Sequence, residues 1–470
     1  MSARGTCAEH PHPGYDRSGV ECGIAHLGVG GFHRSHQARA IDRLLEQGLA
    51  RDWGILGVGV LPSDAGMRDA LGVRDGRYTL VEKHADGHWD ARDVGSILEF
   101  VHAPDDRRAA VERLADPAIR ILSLTITEGG YPVDRESRAF VPGASAPAFD
   151  LIVAALRRRR ELGRAPFTVL SCDNIQDNGA VARAAVTGFA RQTDPELAHW
   201  IDAEVAFPSS MVDRITPATT DADRAEIARR FGTDDPWPVV AEPFFQWVIE
   251  DDFREGRPPW ERAGAQLVAD VEPYELMKLR LLNASHQGLC YFGRLLGYEF
   301  VADAARDPDI ATLLRRYMHE EAMPTLRPVP GVDLAAYTES LIERFANPEV
   351  ADTVARLCAD SSDRIPTWLL PVVHERRATG ARTPLAAAIV ASWARYAEGV
   401  DEQGAPIDVV DRHREAVIAA ARRRTHEAAF LRQHELFGDL ADDPVFTADY
   451  LAALRRLRSE GARAALRALR

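Results

Sequence analysis

Residues 23–60 read GIAHLGVGGFHRSHQARAIDRLLEQGLARDWGILGVGV, and the reading of this stretch decides the fold. GIAHLGVG is a short apolar run ending in glycines, HRSHQARAIDRLLEQG has helical spacing and closes at Gly48, and WGILGVGV is a second run of strand length. Strand, glycine turn, helix and strand make a βαβ unit, and such units build parallel sheets by right-handed crossover. Working outward, RYTLVEK, SILEFVHA, IRILSLTIT, FTVLSCDN, AEVAF and PVVAEPFFQWV read as further strands. Helices such as FDLIVAALRRRREL and GAVARAAVTGFARQ fall between several of them. After about Pro273 the text changes to long helical patterns, among them ELMKLRLLNASHQGLCYFGRLLG and PLAAAIVASWARYAE. The expected architecture is an α/β domain over residues 1–272 followed by an all-α domain over residues 273–470.

Composition excludes several classes. At 470 residues, 46% hydrophobic and 27% charged, the chain has the make-up of a soluble globular protein with room for two or three domains. A formal charge of −14 opposes general binding to a phosphate backbone, so no nucleic-acid partner is expected. The run Arg157 to Arg160 reads as a solvated helix face. No stretch approaches the ~18 apolar residues of a membrane span, and the first residues lack an apolar signal core, so a cytoplasmic location without a membrane partner is expected. Cys7, Cys22, Cys172, Cys290 and Cys358 are scattered without a CxxC pair and read as reduced thiols. His33 with His36, and His10 with His12, lack the neighbouring ligands that would complete a metal set, so no metal is expected. Asn283-Ala-Ser is a formal sequon inside a helical pattern and is set aside.

The turn Gly28-Val29-Gly30-Gly31-Phe32-His33 offers one glycine for a tight bend and one for close approach of backbone to a pyrophosphate. His33 stands where the third glycine of GxGxxG would be, so the fingerprint is imperfect. The flanking strand and helix nevertheless favour a Rossmann-type NAD site built on Gly28, Gly30, Gly31 and Phe32. Asp64, just past the second strand, is placed to accept from the adenosine ribose of NAD, and equally to cap the next helix.

A second stretch, KLRLLNASHQG at residues 278–288, sets polar residues inside an apolar helical pattern. At ~100° per residue Lys278, His286 and Asn283 fall at about 0°, 80° and 140° round the helix, with Glu275 near 60°. One face would carry a base candidate, an imidazole, an amide donor and a carboxylate. A merely solvated polar face fits the same spacing.

Five motifs occur in order along the chain: GVGGFHRSHQ, SLTITEGGY (residues 123–131), SCDN (171–174), FPSSMVDRITP (207–217) and Lys278-x4-Asn283-x2-His286. In these the chain resembles the polyol-specific long-chain dehydrogenase/reductase family over nearly its whole length, and is most similar to that family's mannitol 2-dehydrogenases. The resemblance implies a zinc-independent enzyme with NAD as cofactor, interconverting D-mannitol and D-fructose. It further implies Lys278 as catalytic base, Asn174 and Asn283 as the pair holding the substrate oxygen, His286 as a substrate-positioning group and Glu275 as a proton-relay carboxylate. Asp213, Arg356 and Arg364 would contact the polyol or keto-sugar, and Thr127 and Glu128 the cofactor. For the two arginines a solvated helix end is the competing reading. Fructuronate reductase and other polyol dehydrogenases share the motifs, and a non-catalytic NADH sensor is the alternative of another class. A monomer is one option, since the sequence does not specify an oligomer.

Overall fold

The computed structural model describes residues 12–134 and 137–470, so the expectations for Cys7 and His10 lie outside the described residues. The chain separates into two compact units, Met1–Glu272 and Pro273–Arg470. Strands of the first unit are, in chain order, β1 (Cys22–Leu27), β2 (Gly54–Gly59), β3 (Tyr78–Lys83), β4 (Trp89–Val94), β5 (Ile97–His102), β6 (Ile121–Leu124), β7 (Thr168–Ser171), β8 (Ser210–Asp213), β9 (Val239–Ala241), β10 (Gln246–Glu250) and β11 (Gln266–Val268).

Five of them form one sheet in the order β5-β2-β1-β6-β7, every pair parallel. β1, β2, β6 and β7 are buried along their whole length, which is why they read as continuous apolar runs instead of alternating ones. From β1 the chain winds outward through β2 to β5, then returns to β6 on the other side. The order reverses between β1 and β6, and ligands of open α/β sheets bind outside the carboxyl ends of the strands at such a point. Two small sheets, β4-β3-β9 and β11-β10-β8, complete the unit.

Several local expectations are corrected. AEVAF is no strand: residues 203–204 end the helix Pro195–Glu204, and the following residues are extended but unpaired into a strand, the next being β8. PVVAEPFFQWV is two strands, β9 and β10, interrupted at Glu242-Pro243, where proline cannot donate to a ladder. β4, β8 and β11 carried no strand pattern of their own; β4, WDARDV, is held by antiparallel pairing to the fully buried β3. The helix after the first strand begins at Gly31 and breaks at His36 into α1 (Gly31–Ser35) and α2 (Gln37–Glu46). Arg159 is not solvated: it is buried, and its guanidinium donates to the carbonyls of Leu114, Asp116, Ile119 and Ala165, closing the loop that leads into β6.

The second unit is helical, and its described residues contain only isolated bridges, Phe300 with Thr353 and Val400 with Pro406. Its core includes the helix Pro384–Tyr396, buried from Leu385 to Ala394, with Trp393 packed edge-on against Phe430 at 4.9 Å. Among the described residues no helix is long and apolar enough to cross a membrane. Cys22, Cys172, Cys290 and Cys358 are buried free thiols.

Candidate active site

In the first unit the candidate residues stand at the carboxyl ends of parallel strands. The chain leaves β1 at Gly28, whose φ of +89° and approach to Thr125 admit only glycine: an added Cβ would lie 2.1 Å from the Thr125 carbonyl oxygen. Gly30 differs. A Cβ there would meet nothing nearer than 3.8 Å, so its bare backbone borders open space, as close approach of a pyrophosphate requires. Gly31 opens α1 and Phe32 follows, half-buried and stacked on His36 at 4.9 Å. His33, at the place of the missing third glycine, lies flat on His26 with ring centroids 3.5 Å apart. His26 is held between Ser123 (2.8 Å) and Thr125 (2.9 Å), and burial pushes both imidazoles well below the ordinary histidine range. A neutral ring pair therefore fills the space beneath the turn.

Beyond β2, the Asp64 carboxylate accepts from the backbone N–H groups of Val60 (2.7 Å) and Leu61 (2.9 Å), both through Oδ2. The capping alternative for α3 (Ala65–Val73) is not what the side chain does, since Asp64 makes no side-chain cap bond to that helix. It fixes the turn behind itself instead. Thr127 and Glu128 follow β6 and are exposed, and Asn174 is exposed three residues past β7. Asp213 is buried at the end of β8 opposite Gln246. Its neighbour Arg214 donates to the carbonyls of Ser35 (2.6 Å) and Glu242 (2.9 Å) and pairs with Glu82, which ties β8 to α1. Sequence reading missed Arg214 and also Asp173, whose carboxylate bonds the turn after β6; a charged residue within two positions of the end of a buried strand was the available signal.

In the second unit four candidates share one helix, but not with the phase read from the sequence. Lys278–Asn283 is a π-helical turn between the α-helical Glu272–Met277 and Ala284–Leu295. One additional residue per turn sets everything beyond it back by about 100°, moving Asn283 from ~140° to ~40° and His286 from ~80° to about −20°. Glu275, Lys278, Asn283 and His286 then lie within roughly 80° of helix surface instead of roughly 140°. The simple amphipathic reading is thus corrected, and the cluster is tighter than expected. Lys278, Asn283 and Glu275 are buried, with 8%, 5% and 6% of their surface exposed. The Asn283 Nδ2 donates to no atom among the described residues. His286 lies 4.4 Å from the Phe345 ring. On the opposite side of the turn Arg280 holds Glu375 through two bonds (2.8 and 2.6 Å) and donates to the Thr325 carbonyl at 2.8 Å, which fixes the rotation of the segment.

The two arginines divide. Arg356 is exposed and bound twice by Asp352, at 2.6 and 2.5 Å. Arg364 is half-buried, donates to the Arg356 and Leu357 carbonyls and lies over Trp368 at 5.5 Å.

Both units match known proteins. Residues 22–262 match the mannitol dehydrogenase Rossmann domain and residues 270–458 the mannitol dehydrogenase C-terminal domain. A mannitol 2-dehydrogenase of Cereibacter sphaeroides is 43% identical, with 97% of this chain and 98% of the relative aligned; one of Phaeosphaeria nodorum is also 43% identical, over 97% of this chain and 82% of the relative. Among solved structures, the Pseudomonas fluorescens mannitol 2-dehydrogenase ternary complex with NAD and D-mannitol superposes with a TM-score of 0.89 at 41% identity, covering 98% of this chain and 97% of that one. A substrate-free D-sorbitol dehydrogenase gives a TM-score of 0.90 at 36% identity, covering 98% of each chain. Two family domains in order, and such identity along nearly the whole length, mean that this chain belongs to the mannitol dehydrogenase family.

Proposed function

We propose that this chain is an NAD-dependent polyol dehydrogenase that interconverts D-mannitol and D-fructose without a catalytic metal, with Lys278 as general base. The observation that carries the reading is the π turn, which draws a buried amine and a buried, unpartnered amide donor onto one narrow strip of helix. The complex of the Pseudomonas fluorescens relative with NAD and D-mannitol supports the choice of cofactor and substrate.

The first unit fits NAD. Gly28, Gly30, Gly31 and Phe32 would line the pyrophosphate, Asp64 would accept from the adenosine ribose through the oxygen not engaged by Val60 and Leu61, and Thr127 and Glu128 would border the nicotinamide end. When bound, NAD supplies the acceptor for the hydrogen removed from the carbinol carbon. That hydrogen leaves as hydride with the C–H electron pair while the hydroxyl gives up its proton, so the oxygen is alkoxide-like as the proton goes and becomes the carbonyl oxygen as the hydride departs. Neutral Lys278 takes the proton, and protonated Lys278 returns it in the reverse direction. Asn283 and Asn174 donate N–H to the oxygen as its charge grows, each such donor being worth roughly 3 kcal/mol. Glu275, one turn before Lys278, would pass the proton onward, and His286 would orient a neighbouring hydroxyl. Asp213 and Arg364 would hold the remainder of the polyol; Arg356, committed to Asp352, is the poorer of the two arginines for that task. A base and oxygen donors supplied by side chains are what a metal would otherwise contribute.

The test is NADH absorbance with D-fructose and with fructuronate offered separately, and NAD reduction with D-mannitol and with D-sorbitol. Turnover of fructose and mannitol, surviving exhaustive EDTA treatment, is expected. Preference for fructuronate would replace the sugar substrate by a sugar acid, metal-restored activity after chelation would overturn the metal-free mechanism, and turnover of nothing would leave a binding protein.

A further inference from the structure

After β6 the chain runs Thr125-Ile126-Thr127-Glu128, and Thr127 adopts φ +64° with ψ 161°. That region is nearly reserved for glycine, and a β-branched residue enters it only where its surroundings dictate the conformation. Gly129 and Gly130 stand immediately beyond, yet neither takes a positive φ. The unusual geometry is therefore placed on the residue least suited to it.

The Gly130 N–H, donating to the Thr127 carbonyl at 3.0 Å, holds the peptide after Thr127, and Asp173 holds the one before it. The side chain, 7% exposed, accepts from the Thr127 N–H through Oδ1 at 2.8 Å, and through Oδ2 from the Ile126 N–H at 3.1 Å and the Tyr131 hydroxyl at 2.7 Å. Two successive amides converging on one carboxylate fix the peptide planes on both sides of Ile126. Asp173 is itself anchored: its carbonyl accepts from the Asn178 amide at 3.0 Å, and Asn178 exchanges two further bonds with Ser210 at 2.7 and 2.9 Å. Burial pushes the carboxyl above its ordinary range while the three donors oppose that shift. Such an acceptor is costly to bury and serves poorly as mere packing.

We propose that Asp173 is a positioning residue for the cofactor: it holds the turn at Thr127 in the conformation that the nicotinamide end of the dinucleotide requires. The inference rests on the reading of this unit as the NAD site. An amide in its place keeps one acceptor oxygen but turns an NH2 group towards a backbone N–H, so the turn loses its restraint. Glycine at 127 would adopt the same φ and ψ unaided.

The test is a double-mutant cycle on NADH affinity, measured by fluorescence titration, with Asp173→Asn, Thr127→Gly and the two combined. Asp173→Asn should weaken NADH by about tenfold or more, since the strained turn goes unrestrained. Adding Thr127→Gly should recover several-fold of that loss beyond its own effect in the wild-type chain, without a matching recovery in melting temperature. Additive losses would overturn the proposal. If Asp173→Asn yields no folded protein, the same cycle is run with Asp173→Glu, which keeps the charge but displaces the carboxylate from the two amides, and additive losses there overturn the proposal. A wild-type chain that binds no NADH removes the underlying NAD reading, whereas binding with an additive cycle removes this inference alone.

Discussion

The two units bring their candidate residues together by opposite means. In the first, Gly28, Asp64, Thr127 and Asn174 come from four strand ends spread over residues 28–174, and only the order β5-β2-β1-β6-β7 brings them to one edge. In the second, Glu275, Lys278, Asn283 and His286 lie within residues 275–286, and a single wide turn aligns them. Long-range topology positions one set and local helical phase the other. The difference teaches where damage spreads: a substitution in the second set should act on chemistry alone, while one in the first, Asn174 apart, should register in cofactor affinity.

The sharpest way to break that contrast is Lys278→Ala. Turnover should fall by ~10² to 10⁴-fold with NADH affinity nearly unchanged. A variant retaining wild-type turnover, or one losing NADH in step with it, would end the assignment and blur the division. Asn283→Ala and Asn174→Ala come next, one from each unit, and each should lower kcat by ~10² to 10³-fold with a smaller change in KM if both amides act on developing charge. An effect confined to KM at either position would assign that amide to substrate binding.

Asp64→Ala probes the first unit alone. It would remove the acceptor proposed for the ribose and the charge that would oppose a 2′-phosphate, so the ratio of kcat/KM for NAD over NADP should fall by about 1 to 3 kcal/mol. With Ser63 beside it, Asp64 is the one acidic group of this turn, and an unchanged ratio would leave it only the task of binding Val60 and Leu61. The smallest effect belongs to the second unit. Glu321 is buried against the first turn of the helix Pro384–Tyr396, accepting from Leu385 (2.7 Å) and Ala386 (2.9 Å), and burial pushes its carboxyl up to about 7. A raised carboxyl pKa favours the folded state at low pH, and that contribution is lost as pH rises through about 7. Wild type should therefore gain about 1 kcal/mol from this group between pH 8 and pH 6. Urea unfolding at the two pH values should show Glu321→Gln without that gain; an equal gain in the variant would assign the pH dependence elsewhere.

Much of the parallel sheet was legible because strands buried on both faces write themselves as apolar runs, and β1, Gly28, α1 and β2 could be taken almost directly from residues 23–60. β4, β8 and β11 were not, since their pairing comes from neighbours distant in sequence and not from their own pattern. The π turn was invisible for a related reason: apolar periodicity averages over a helix and does not register one residue too many. Lys278 and Asn283 could be named from residue type, but their alignment could not. Asp173 went unnoticed beside Asn174 because its role depends on amides some 46 residues away, at Ile126 and Thr127.

The central pairing of the large sheet also sets a clock. β1 lies against β6 with Ile24 opposite Ile121, so the middle of the sheet cannot close until nearly a hundred residues of chain have been brought round. Contacts that distant are formed slowly, whereas helices condense from neighbours. On dilution from denaturant, far-ultraviolet dichroism from the helical unit should recover ahead of NADH binding, and the capacity to hold a dinucleotide should be the last property the chain regains.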